Sequence, residues 1–226
     1  MKYNFKISLP FYKILYSIAF MLLFALIRPT TTISEILVVI EPNISLLAII
    51  FTSDVFYCEI RENRIDVFYM FPEPHKYKTI MQRFLIDIIY LMLLVIIFFW
   101  VCVAFQRLHN DYLLTDGLLP IYGYTILSCF MTMLFFAALS CTLVNYFQNL
   151  WLGIGICASV WLIFSTTVKE YLPVCLNIFL YKTDPGLNAR ITPYFLSRGI
   201  SVFIGAGMLL LNYFIVVRPP RRKVKR

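Results

Sequence analysis

The chain has 226 residues, of which 61% are hydrophobic and only 14% charged, about half the charged share of a soluble domain. With a mean hydropathy of +0.80, this composition excludes a disordered chain, a collagen-like chain and a disulfide scaffold. It equally excludes a water-soluble globule, whose outside so few polar residues could not cover. An all-α integral membrane protein remains, and at about 20 residues per span the length suits one membrane domain, 1–226, with five or six helices.

Six apolar runs follow in chain order, at about 11–27, 36–52, 80–105, 118–147, 150–168 and 200–217. Each reads as a transmembrane helix, because a segment in hydrocarbon must satisfy its own backbone, and weak period-two alternation excludes a β-barrel. The first run follows Lys2, Lys6 and Lys13 like a signal peptide. No small-residue cleavage site follows Leu26-Ile27-Arg28-Pro29, so it reads as a retained span, with Lys13 snorkelling to the inner headgroups. Thr32 and Glu35 form a capping box before the second run. Inside that run, Glu41-Pro42-Asn43 puts a costly carboxylate next to a helix-disrupting proline, which marks Glu41 and Asn43 as substrate-path candidates. The plainer alternative is a kinked helix whose Glu41 reaches the outer interface or a partner. Asp87, near the start of the third run, reads as a headgroup residue or a partner for Arg83.

Two segments are too polar or too short to cross. Residues 53–79 mix charges with Phe56, Ile60, Phe68, Tyr69 and Phe71, and predict an amphipathic helix on the inner face ended by Pro72 and Pro74. Within the outer segment 169–199, the eleven residues from Tyr171 to Tyr181 predict an interfacial or re-entrant hairpin.

The net charge of +8 is unevenly spread, with six of the 20 Lys and Arg residues in the tail 218–226. A basic tail after an apolar span reads as a cytoplasmic anchor on anionic lipid. Without interleaved aromatic residues it does not suggest nucleic acid. Placing both termini in the cytoplasm puts fourteen basic residues inside and six outside, Arg198 among the latter. This predicts a multi-pass protein of the cell membrane.

Chemistry-bearing motifs are absent. His75 and His109 fall on opposite sides of the membrane, and none of the six cysteines makes a C-x-x-C pair. No H-E-x-x-H or phosphate-binding glycine loop occurs. No catalytic residue, metal or cofactor is therefore assigned to this chain, and it is not expected to be an enzyme. Gly155-x-x-x-Ser159 and Ser201-x-x-x-Gly205, with Gly207 nearby, predict close helix packing or a subunit interface.

The organisation resembles the membrane subunit of ABC-2 type exporters: six helices, a cytoplasmic amphipathic segment between spans two and three, and a re-entrant outer segment between spans five and six. The run Asp54-x-x-x-x-Glu59, Arg64-Ile65-Asp66-x-x-Tyr69, Pro72, Tyr77 and Arg83 is similar to the acid, short helix, proline and base order of such permeases. The resemblance implies a permease that pairs with a second copy or a related permease. Its coupling segment would dock on separate ATP-binding subunits, which hold ATP and Mg and hydrolyse the nucleotide. The coupling residues would then be Glu59, Arg61, Glu62, Arg64, Asp66, Phe68, Tyr69 and Phe71. The competing readings are a membrane scaffold or assembly protein, the substrate-binding subunit of an energy-coupling importer, and an intramembrane enzyme.

Overall fold

A computed structural model describes residues 2–28, 30, 33–61, 64–105, 118–166, 173, 177–179 and 191–217. These form nine helices and no strand: α1 (Lys2–Ser8), α2 (Phe11–Ile27), α3 (Ile33–Ser53), α4 (Tyr57–Arg61), α5 (Ile65–Met70), α6 (Glu73–Phe105), α7 (Leu118–Phe147), α8 (Leu150–Ser165) and α9 (Ile191–Val217). Four of them, α3, α6, α7 and α9, are long and apolar enough to cross a membrane. The apolar helices α2 and α8 have 17 and 16 residues, or about 25 Å each at 1.5 Å per residue.

The contacts define an up-and-down bundle. At the end where α2 begins, Lys13 of α2 meets Asp54 just past α3. Here too the ring of Tyr77 on α6 meets that of Tyr213 on α9 at 5.0 Å, and Asn145 of α7 meets Asn212 of α9 at 2.7 Å. At the opposite end Phe99 of α6 packs on Tyr122 of α7, and Trp161 of α8 donates to the Pro42 carbonyl of α3. Thus α3, α7 and α9 run one way and α2, α6 and α8 the other. Helix α7 is central, packed against α3, α6, α8 and α9.

The polarity of this bundle is inverted relative to a soluble protein. Ser45, Thr52, Ser128, Thr132, Ser140, Asn145, Ser201 and Asn212 are buried, while Leu22, Ile89, Trp100, Trp151, Phe203 and Leu210 are exposed. Among lipid tails an apolar outside costs nothing, and helices join through close packing and neutral hydrogen bonds. Ser140 Oγ donates to the Ile49 carbonyl at 2.7 Å, Thr52 Oγ1 to Ala137 at 3.1 Å and Thr142 Oγ1 to Met208 at 3.1 Å.

Small residues set the closest approaches. A Cβ on Gly205 of α9 would lie 3.4 Å from the α7 backbone at Phe135, whereas Gly155 and Gly207 face open space. The packing glycine of α8 is Gly153 rather than Gly155. A two-residue turn, Gln148 at φ 52 and Asn149, joins α7 to α8. Asn149 caps α8 by accepting from the N–H groups of Trp151 and Leu152. So short a turn presses the last turn of α7 against the first of α8, and a Cβ on Gly153 would sit 2.4 Å from Val144 Cγ2 and 2.9 Å from its Cα. Gly153→Ala is therefore expected to splay α7 from α8 and cost about 1–3 kcal/mol, read as a lower melting temperature in detergent. Gly155→Ala should leave it unchanged.

Several boundaries differ from the sequence reading. The fourth run appears as α7 at the residues expected, but the helices behind the third and sixth begin at Glu73 and Ile191 instead of 80 and 200. The single amphipathic helix over 53–79 is replaced by α4, α5 and the first turns of α6. Phe71, before Pro72, is extended at ψ 151, as a residue preceding proline prefers. Pro74 opens α6 instead of ending a helix, because a first-turn N–H has no intrahelical partner to lose. Thr32 of the expected capping box, Cys175, His109, the tail 218–226 and most of Tyr171–Tyr181 lie outside the described residues.

Candidate functional site

Two polar clusters stand out in this apolar chain. The first lies inside the bundle. Glu41 and Arg198, 157 residues apart in sequence, form a two-point ion pair: Arg198 Nε donates to Glu41 Oε1 at 3.0 Å and Nη2 to Oε2 at 2.9 Å. Ser128 Oγ on α7 donates to the same Oε1 at 3.0 Å. Both charged side chains are fully buried. The parallel N–H donors of a guanidinium match the two oxygens of a carboxylate, which gives this pair a fixed orientation. Glu41 thus reaches a partner, Arg198, inside the bundle. Arg198 lies within α9, not in an outer loop, and drops out of the outer basic count. Asn43 is half-buried, and its Nδ2 donates to the Val39 carbonyl of its own helix at 2.8 Å. It does not join Glu41.

Residues 177–179, from the segment read as outer in the sequence, lie beside this cluster. The Asn177 carbonyl accepts from Ser197 Oγ at 2.6 Å, and Ser197 is the neighbour of Arg198. Asn177, Ile178 and Phe179 are buried, and Phe179 stacks on Phe136 of α7 at 5.8 Å. Phe136 is eight residues past Ser128 on α7, about 12 Å further along the axis.

The second cluster clamps the short helices to the end where α2 begins. Arg83 of α6 donates from Nη2 to Glu59 Oε1 at 2.6 Å and from Nη1 to the Val55 carbonyl at 3.2 Å. It also reaches Cys58 Sγ at 3.2 Å and Asn4 Oδ1 at 3.4 Å. Lys13 is buried, with Nζ 2.6 Å from Asp54 Oδ1 and 3.2 Å from the Phe51 carbonyl. It therefore does not snorkel. Arg83 pairs with Glu59, not Asp87, and Asp87 is buried beside Ser8 Oγ at 2.5 Å.

The expected coupling residues divide by this packing. Glu59 is held inward by Arg83, and Phe68 is buried edge-on against Phe56 at 5.5 Å. Tyr69 is half-buried beneath the Lys76 ammonium at 5.0 Å, and burial raises its phenol pKa above the usual value. Arg61, Arg64, Asp66 and Phe71 are exposed, together with Val67 at 57% and Met70 at 81%. Glu62 lies outside the described residues.

Arg198, Ser128 and Lys13 are the site residues that sequence reasoning missed, and Arg83 was given a different partner. A signal existed for the first: an acid deep in an apolar run needs a base or a polar partner from another span. Chemically the two clusters hold helices together and present a surface. No three described His, Cys, Asp or Glu residues could hold a metal ion. Comparison with known proteins finds no matching family model, no matching curated protein and no matching solved structure.

Proposed function

We propose that this chain is the membrane-spanning permease subunit of an ATP-driven exporter of the ABC-2 type, with all six apolar helices crossing the membrane. It couples to separate ATP-binding subunits that bind ATP and Mg and hydrolyse the nucleotide, and it pairs with a second permease copy. One observation carries this reading. Between the second and third apolar helices, α4 and α5 are clamped to the bundle by Arg83 and anchored by Phe68, yet they turn Val67, Met70 and Phe71 outward among Arg61, Arg64 and Asp66. An element that is rigid toward the helices and carries exposed apolar side chains with a charged rim suits transmission of a push from a protein partner.

The orientation follows from basic residues. With buried Lys13, Lys76, Arg83 and Arg198 all set aside, the segments read as inner hold eleven basic residues and those read as outer five, which supports both termini in the cytoplasm of the cell membrane. The buried Asn177–Phe179 stretch supports a re-entrant outer segment. Helices α2 and α8 are short for a core of about 30 Å, and flanking residues with local thinning accommodate such a mismatch.

The reading is tested by isolating the tagged full chain from its native membranes in mild detergent and identifying co-purified proteins. An ATP-binding subunit in near-equal amount is expected. Isolation with no nucleotide-binding partner contradicts it and favours a membrane scaffold. Topology is checked separately: a cysteine placed at Thr166 should react with an impermeant thiol reagent on intact cells. One at His75 should react only after permeabilisation, and the reverse pattern overturns the orientation.

A further inference from the structure

Helices α3, α7 and α9 are joined by neutral contacts, Ser140 to Ile49, Thr142 to Met208 and Asn145 to Asn212, and by one charged contact, Glu41 with Arg198. A buried charge pair adds little over apolar side chains of similar volume, and separating it leaves each charge in need of water or a new partner. Such a contact therefore behaves as a two-position element. Joined, it bridges α3 and α9, which each pack on α7. Parted, it favours an arrangement in which water reaches both groups.

The next residue supplies a pivot. Pro42 has no N–H, so the helical bond from position 42 to the Val38 carbonyl is missing directly beside Glu41. On the far side of the proline, α3 is pinned to α7 by the Ile49 and Thr52 contacts. On the near side, Glu41 ties the helix to Arg198 and Ser128, over buried Ile36, Leu37, Val39 and Ile40. Trp161 holds the Pro42 carbonyl itself at 2.9 Å.

We infer that the α3 segment from Glu35 to Glu41 is a latched arm that pivots at Pro42 and parts from α9 when the Glu41–Arg198 pair opens. In the parted state, water enters the bundle as far as Ser128 and Cys129 from the end where α3 begins. This concerns the bundle itself and stands whether or not an ATP-binding subunit is found.

Two native cysteines report on it. Cys129 adjoins Ser128 and is fully buried; Cys141, twelve residues further along α7, is buried beside Asn145 and Asn212. The full chain in permeabilised native membranes is treated with a small water-soluble methanethiosulfonate, and labelled cysteines are assigned by peptide mapping. Glu41→Gln, which strands Arg198, should label Cys129 at least about tenfold faster than wild type with Cys141 unchanged; that factor corresponds to about 1.4 kcal/mol. The double variant Glu41→Leu/Arg198→Met has no charge to strand and should leave Cys129 at or below the wild-type rate. If Glu41→Gln exposes Cys129 and Cys141 together, the pair merely maintains the fold and the inference fails. It fails equally if Cys129 in Glu41→Gln stays as protected as in wild type, or if the double variant labels as fast as the single one.

Discussion

Arg198→Met, made alone, is expected to lower the melting temperature of the detergent-solubilised protein by on the order of 10 °C. Its side chain is fully buried and makes two bonds to Glu41. Methionine approximates its volume, so packing around α9 is largely kept while the carboxylate loses its counter-charge. Breaking a buried pair by removing one partner costs about 3–5 kcal/mol, and in a chain of this size 1 kcal/mol moves the midpoint by about 2–4 °C. Ser128 still donates to Glu41, but one hydroxyl does not replace a guanidinium. Adding Glu41→Leu should recover most of the loss, because an apolar pair of similar volume needs no compensation. If the single and double variants melt alike, the pair's charge contributes nothing and the cost lies in packing.

Phe71→Ala is expected to lower the yield of co-purified ATP-binding subunit by about tenfold or more, with the variant's own melting temperature within about 2 °C of wild type. Phe71 is 48% exposed at the end of α5, its ring 5.4 Å from that of exposed His75, so truncation removes little of the protein's own core. Aromatic anchors concentrate interface energy, typically about 2 kcal/mol or more each. Phe68→Ala makes the contrast. That ring is 6% exposed and packed on Phe56 and Tyr69, so its loss should destabilise the protein itself by about 3 kcal/mol and weaken assembly only as a consequence. Should Phe71→Ala leave the partner bound at the wild-type level, α5 is not the docking surface.

Apolar runs in the sequence located the starts of α2, α7 and α8 but missed those of α6 and α9, for a physical reason. Hydropathy marks the part of a helix that dissolves in lipid, and α7 is apolar to both ends. Helices α6 and α9 begin in polar sequence, where helical structure continues because tertiary partners take up the charges: Lys76 on Tyr69, Arg83 on Glu59 and Arg198 on Glu41. Glu41 was legible as costly because any carboxylate in an apolar run is. Its partner was not legible, since pairing across 157 residues depends on how α3 and α9 each pack on α7. Residues 53–79 were legible as an interruption between two apolar runs. The division of their aromatic residues between anchor and surface was not. Phe68 and Phe71 are alike in sequence context, and only the turn of the chain at Pro72 sends one inward and the other out.

The claim that α5 docks on an ATP-binding subunit is tested most directly by placing a photo-crosslinking amino acid at position 71 of the full chain in native membranes. Position 203 on the apolar outside of α9, where Phe203 is 81% exposed, serves as the reference. Irradiation should join position 71 to a nucleotide-binding protein, identified by mass spectrometry of the product, and should not join position 203 to it. Crosslinks from position 71 to lipid alone, or to a protein that binds no nucleotide, would contradict the exporter reading.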